Sequence, residues 1–182
     1  MKHLVFLLEE PSAREMLDAL LPQLVPGISY RCIVFEGKQD LEKNLVKKIR
    51  AYRVPESQFI VLREQDAGNC CRIKQKLVEL CKKAKKPDCL VRIACRELES
   101  WYLADLRAVE LGLKISGLTK HQKSKKYRSP DYLHLPSKEL KQLTNNKYQK
   151  VAGSRSIGAY LDCKNKRSNS FRVFIEGIRK ML

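Results

Sequence analysis

Residues 3–10 read HLVFLLEE, an apolar run from Leu4 to Leu8 that ends on two adjacent glutamates. A run this short, apolar throughout and closed at once by charge, has the character of a strand buried on both faces. It is too short for a secretory signal peptide, and it meets Glu9-Glu10 where a cleavage site would need small residues.

Outward from this run the pattern repeats. Met16, Leu17, Leu20, Leu21 and Leu24 recur at three-to-four spacing and predict one face of a helix. Tyr30–Phe35 (YRCIVF) predicts a second strand, and Leu41, Leu45, Val46 and Ile49 a second helical stripe with Asp40 in its first turn. Phe59–Arg63 (FIVLR) predicts a third strand, followed by a helix carrying Ile73, Leu77, Leu80, Cys81 and Ala84. Cys89–Cys95 (CLVRIAC) predicts a fourth strand, and a single helix from Glu97 to Val109 follows with Trp101 as its largest apolar residue. Strands alternating with helices in this way predict an α/β fold: a mostly parallel four-stranded, Rossmann-like sheet with helices on both faces. Right-handed crossovers then place every strand-to-helix turn at one edge of the sheet, where open α/β sheets bind their ligands.

After Gly112 the pattern weakens. Residues 114–136 are basic, carry Pro130 and Pro136, and read as an irregular excursion. Ser137 is a candidate cap for a short helix through Leu143, and Phe171, Phe174, Ile175 and Ile178 form an amphipathic terminal helix capped by Ser168 or Asn169. The chain thus divides into an α/β core over residues 1–113 and a basic extension over 114–182, whose last helix is expected to pack back on the core.

Charge follows the same division. Of 182 residues 37 are Lys or Arg and 20 Asp or Glu, a net +17. Residues 1–113 hold 20 basic and 16 acidic side chains, a net +4, whereas residues 114–182 hold 17 and 4, a net +13. Such a surface suits a polyanion, and nucleic acid, DNA or RNA, is the expected partner in preference to a membrane. Hydrophobic residues make up 43% of the chain, enough for a single core, and no stretch reaches the length of a membrane span. Seven cysteines, an odd number without an export signal, point to reduced thiols in the cytoplasm. They contain no CxxC pair, and with only three histidines a zinc site is not expected. Cys70 and Cys71 stand near a helix start, where a thiol pKa can fall. No GxxxxGK[ST] loop or GxGxxG turn is present, so no nucleotide is expected to bind in those ways.

The strand ends carry the chemistry. Glu9 and Glu10 follow the first strand, Glu36 the second, Glu64 and Asp66 the third, and Glu97 and Glu99 the fourth. Asp and Glu are favoured at helix beginnings by about 0.3–1 kcal/mol each, which accounts for any one of them. Together on one sheet edge, with no histidine among them, they form a set of hard oxygen donors suited to Mg²⁺ or Mn²⁺. Asp66 also lies in a flexible D-A-G-N turn, free to face a ligand.

A glutamate directly after the first strand and an acid-x-acid turn after a later one resemble the Toprim domain of topoisomerases, primases and overcoming-lysogenization-defect nucleases. The segments LLEEPSAREML, FEGKQDL, VLREQD, RIACRELESWYLAD, KYRSPD, KVAGSR and SFRVFIEGIR together resemble, over nearly the whole chain, a bacterial domain-of-unknown-function family. That family is regarded as Toprim-like and is often encoded beside an ABC-type ATPase in phage-defence settings. The resemblance implies Glu9, Glu64 and Asp66 as catalytic, metal-binding acids; Glu97 and Glu99 lie outside the core Toprim motif and are candidate further ligands. Two residues depart from the Toprim pattern: Glu10 stands where a glycine is usual, and Glu64 where the first acid of the pair is usually Asp.

The expected function is Mg²⁺- or Mn²⁺-dependent cleavage of nucleic-acid phosphodiesters, with a separate ABC-type ATPase as partner. Lys150 and Arg155 in KVAGSR are candidate phosphate contacts, with Gly153 and Ser154 allowing close backbone approach. Lys120, Lys123, Lys125, Lys126 and Arg128 form a second strip, with Tyr127 as a stacking ring. The rival is a catalytically silent nucleic-acid-binding or ATPase-docking subunit whose acids are helix caps.

Overall fold

The side chains of strand β1 (His3–Leu8) point alternately to two separate cores. Leu4, Phe6 and Leu8 enter one and Val5 and Leu7 the other, which is why the run shows no polar alternation. In this computed structural model, which describes residues 2–182, β1 pairs in parallel with β2 (Ser29–Val34) on one side and β3 (Ser57–Glu64) on the other. The fourth strand, β4 (Leu90–Ala94), pairs with β3, giving the order β2-β1-β3-β4 with every pair parallel. Leu8 lies beside Val34 and Leu62, and Glu64 beside Ala94, so all four strands finish at one edge. The α/β class and the four-stranded parallel sheet agree with the sequence reading.

Helices α2 (Lys38–Ala51) and α3 (Cys70–Lys83) cover one face through Leu41, Leu45, Ile49, Leu77 and Cys81. Helix α1 (Pro11–Leu24) and all later helices cover the other. Residues 97–109 depart from the expected single helix. Asp105 stops the chain there and caps α5 (Leu106–Leu113) by accepting from Ala108 N at 3.1 Å, leaving α4 (Leu98–Leu103) as a separate short helix. Trp101 of α4 is buried against Phe171 and Phe174, and its indole Nε1–H donates to Ser170 Oγ at 2.8 Å.

Residues 114–182 share this core. Between the two halves run 3₁₀ turns at Thr119–His121 and Pro130–Tyr132, then α6 (Pro136–Leu143). Pro136 occupies its first turn, and Ser137 is not the cap: its N–H donates to Glu97 Oε2 at 2.7 Å. Helix α8 (Asn169–Lys180) packs on β4, and Ser168 caps it by accepting from Phe171 N at 3.1 Å. Tyr127 lies within the core at 6% exposure, its hydroxyl bonded to Glu139, so it is not available as a stacking ring.

Helix α7 (Lys150–Gly158) was not legible as a helix, because small residues replace an apolar stripe. Those small residues set its position. A Cβ on Gly158 would stand 2.6 Å from Met16 O, and one on Gly153 2.5 Å from the Tyr148 ring. Gly153 therefore admits Tyr148 and not a phosphate, and Gly158 lets α7 lie directly on α1. Gly158→Ala is expected to force these backbones apart, costing about 1–3 kcal/mol. Thermal unfolding checks this: the midpoint should fall by several degrees, and an unchanged midpoint would refute the close crossing.

Candidate functional site

The shared strand edge, together with α7, gathers the carboxylates. Glu9, immediately after β1, accepts from Glu64 N through Oε2 at 3.0 Å, tying the ends of the two central strands. Its own carbonyl accepts from Gly37 N at 3.0 Å, where a positive φ of 90° opens α2. Glu64, the last residue of β3, accepts through Oε1 from Leu98 N at 2.7 Å, the first amide of α4. Glu99, fully buried, accepts through Oε1 from the Tyr148 hydroxyl at 2.8 Å, and its Oε2 is buried with no hydrogen-bond partner.

The cation among them comes from the other end of the chain. Lys150 Nζ lies 2.7 Å from Glu10 Oε2 and 3.7 Å from Glu64 Oε2. Ser12 Oγ donates to the other Glu10 oxygen at 2.6 Å. The electrostatics follow from burial and crowding. Burial, then repulsion from Glu10 and Glu99, pushes the Glu64 carboxyl up to about 9 despite Lys150 and the Leu98 amide. Burial also raises Glu9 against the lowering effect of the Glu64 amide, and it raises Glu99 against Lys150 and Tyr148. Burial alone would lower the Lys150 ammonium, but Glu64, Glu10 and Glu99 outweigh it and hold it above the ordinary lysine range.

Two of the remaining strand-end acids border these groups, Asp66 helping to raise Glu9 and Glu97 helping to raise Glu99. Asp66 is half-buried with φ +54°, a left-handed conformation that Asp tolerates, and pairs with Lys38 at 3.2 Å. Glu97 is bound to Ser137 N, and Glu36 is exposed. Glu64 and Glu99 thus come together around Lys150 with Glu10, which the sequence reading did not single out as a site residue, whereas the Glu9 carboxylate, bound to the Glu64 amide, has Asp66, Arg63 and Glu10 as its charged neighbours. Tyr148 and the placement of Lys150 were also missed, since nothing in the local sequence links position 150 to position 10. Among the described residues no three His, Cys, Asp or Glu side chains stand in ready-made metal-ligand geometry. The donor set nevertheless has the chemistry of a hard-cation site: only carboxylate oxygens, several with raised pKa, and one buried oxygen without a partner.

The basic residues are dispersed. Arg155 pairs with Glu15 and ties α7 to α1, and Lys126 pairs with Glu139 at 2.7 Å. Lys120, Lys123, Lys125 and Arg128 are exposed. Lys120 and Lys123, with Arg107 and Arg167, line a cavity of about 630 Å³. All seven cysteines are free. The helix start does not activate Cys70, whose thiol is pushed up by burial and by Cys71.

Among the described residues no helix is long and apolar enough to cross a membrane. No curated protein matches the sequence. The C-terminal region of the Burkholderia pseudomallei OLD protein superposes over 97% of each chain with a TM-score of 0.51, at 16% sequence identity. A likeness at that identity is one of fold, and the fold is Toprim-like. The model of DUF4276, a domain of unknown function, matches residues 8–179. With nearly its whole length covered by that match, the chain belongs to the DUF4276 family.

Proposed function

We propose that this protein is a Mg²⁺- or Mn²⁺-dependent nuclease of Toprim type that hydrolyses nucleic-acid phosphodiesters. One observation carries the reading: Glu10 and Glu99, which follow β1 and β4, stand close enough to Glu64 at the end of β3 to raise its carboxyl, and the buried Glu99 Oε2 among them lacks a hydrogen-bond partner. Gln58 Oε1 and Asp131 Oδ1 are likewise buried without a partner elsewhere among the described residues, but Glu99 Oε2 is the one that lies among other strand-end carboxylates, where being unpaired costs about 1–3 kcal/mol. A divalent cation would satisfy it and would relieve the repulsion that raises Glu64.

Glu64 and Glu99, together with Glu10, would hold the cation, with Glu9, Asp66 and Glu97 beside them on the same edge. When bound, it supplies Lewis-acid polarisation of the phosphodiester and neutralises charge at the leaving oxygen. The chain's own groups do the rest. Glu9 keeps one oxygen fixed on the Glu64 amide, leaving the other to take a proton from the attacking water, a role its raised pKa suits. Lys150, released from Glu10 and Glu64 when the cation takes over their neutralisation, would turn to the substrate phosphate. The basic strip at Lys120, Lys123, Lys125 and Arg128 would grip the nucleic-acid backbone. A separate ABC-type ATPase as partner, and a role in phage defence, belong to the same proposal on the strength of the family resemblance.

A second reading has an observation in its favour. Lys150 already pairs with Glu10 at 2.7 Å and stands 3.7 Å from Glu64, as it would in a catalytically silent binding or docking subunit. Cleavage assays on labelled DNA and RNA with Mg²⁺ or Mn²⁺ separate the two. The wild type should cut, and Glu9→Gln and Asp66→Asn should lower the rate by at least about 10²-fold. No cutting under any condition, with or without the ATPase, would leave the silent subunit as the better account.

Proton linkage gives an independent check. The folded protein retains the Glu64 proton up to about pH 9, whereas the unfolded chain releases it near the ordinary value of 4.5. The resulting stabilisation is fully present below that lower value and is lost as pH rises through about 9. In chelator, the melting temperature of the wild type should therefore decline across this window more steeply than that of Glu64→Gln. Added Mn²⁺ should raise the wild-type midpoint, and more at alkaline than at acidic pH because ligation displaces the proton. Parallel pH curves for the two proteins, with no Mn²⁺ shift, would count against the cluster as a cation site.

A further inference from the structure

Two surface cavities outside the carboxylate cluster share a wall. One, of about 630 Å³, lies over α5 and the turn at Thr119–His121 and holds Arg107, Lys120, Lys123, Tyr160 and Arg167. The other, of about 580 Å³, lies at the carboxyl ends of β3 and β4 and holds Gln65, Arg96, Tyr132, Lys166 and Arg167. Arg167 belongs to both, so they form one tract. The second cavity adjoins the candidate catalytic edge directly: Gln65 sits between Glu64 and Asp66, and Asp66 N donates to Arg96 O at 3.0 Å.

Each cavity carries one tyrosine that the fold does not use. Tyr160 is 51% exposed and Tyr132 86% exposed, whereas Tyr102, Tyr127 and Tyr148 are buried. The cationic side chains along the tract are equally uncommitted. Among the described residues no ion pair engages Arg96, Arg107, Lys120, Lys123, Lys166 or Arg167. The acids on the same walls are turned to backbone donors. Asp105 accepts from Ala108 N and Asp162 N, Asp162 from Lys164 N, and Asp131 from Ser170 N through Oδ2, its Oδ1 being buried without a partner.

We infer that this tract is a single-strand nucleic-acid path leading to the strand edge, with Tyr160 and Tyr132 as successive base-stacking platforms and Arg167 as the phosphate contact between them. The inference rests on the nucleic-acid reading above and names its substrate class. Concave pockets with an exposed ring suit an unpaired base, whose π-face is open; in a duplex those faces are already stacked on their neighbours. Free cations interleaved with two rings are the combination that tracks a single strand without reading its sequence. The strip at Lys125 and Arg128, by contrast, offers charge without a ring.

The test is binding in chelator, where no cleavage intervenes, followed by anisotropy of labelled oligothymidylate and oligouridylate. Tyr160→Leu and Tyr132→Leu should each weaken single-strand binding by roughly 5- to 100-fold, while Tyr160→Phe and Tyr132→Phe keep it. Arg167→Ala should weaken both oligonucleotides alike and lower the salt slope by about 1. Lys47→Ala and Lys48→Ala, exposed on α2 across the sheet, should leave binding unchanged. Because both tyrosines are exposed, melting curves should show every variant folded. Wild-type affinity in both leucine variants, absence of oligonucleotide binding, or duplex bound as tightly as single strand would each overturn the tract. The failures are separable. Tyrosine-dependent binding without any cleavage removes the nuclease and keeps the path; cleavage untouched by the leucine variants does the reverse.

Discussion

Everything at the ligand edge depends on how the fold tolerates several carboxylates in a space that excludes water. Charge buried without compensation would be expelled or protonated. Here compensation comes from three sources with different reach. Backbone amides at Glu64 and Leu98 each take one carboxylate oxygen, the Tyr148 hydroxyl takes another, and the Lys150 ammonium approaches Glu10 and Glu64. The amides follow automatically from the sheet register and the start of α4. Tyr148 and Lys150 do not, and they require residues 148–158 to be brought across α1.

This requirement explains the construction of the C-terminal half. Helix α7 carries Lys150 at its first position and Gly158 at its last, and the glycine permits the close approach to α1 that places the lysine over the acids. Gly153 opposite the Tyr148 ring admits the tyrosine whose hydroxyl reaches Glu99. Arg155 to Glu15 adds an exposed clamp between the same two helices, which by itself contributes little. Packing by small residues, rather than by a wide apolar stripe, therefore fixes the cation within reach of the carboxylates.

The same contrast separates what local sequence discloses from what it conceals. Apolar runs at Leu4–Leu8 and Phe59–Leu62, and the run at Leu90–Ala94 broken only by Arg92, belong to strands with residues in both cores, and that pattern needs no partner to be recognised. The acids at strand ends were legible for the same reason: parallel topology brings them to one edge whatever the details. The break at Asp105 was hidden because Leu106 and Val109 keep a helical spacing across it, and only the cap on Ala108 N shows the interruption. The stacking role read for Tyr127 failed because a basic, proline-containing segment conceals which of its rings folds inward. Position 132, five residues on, presents the exposed ring instead.

The high positive charge takes on a different meaning once these positions are known. A uniformly basic surface would attract any polyanion without directing it. In this protein some of the cations are already paired within the fold, Lys150 with Glu10 of the acid cluster, Arg155 with Glu15 of α1 and Lys126 with Glu139 of α6. The uncommitted ones around Arg167 border two concave surfaces, and the second surface abuts Asp66. An anionic strand drawn along that border would arrive at the one place where carboxylates repel it. Under the proposed function, approach to that edge is favoured where a cation stands between the two. On the proposed reading the basic tract and the acidic cluster form a single electrostatic arrangement, in which an anionic substrate and the carboxylates would be complementary through a bound cation.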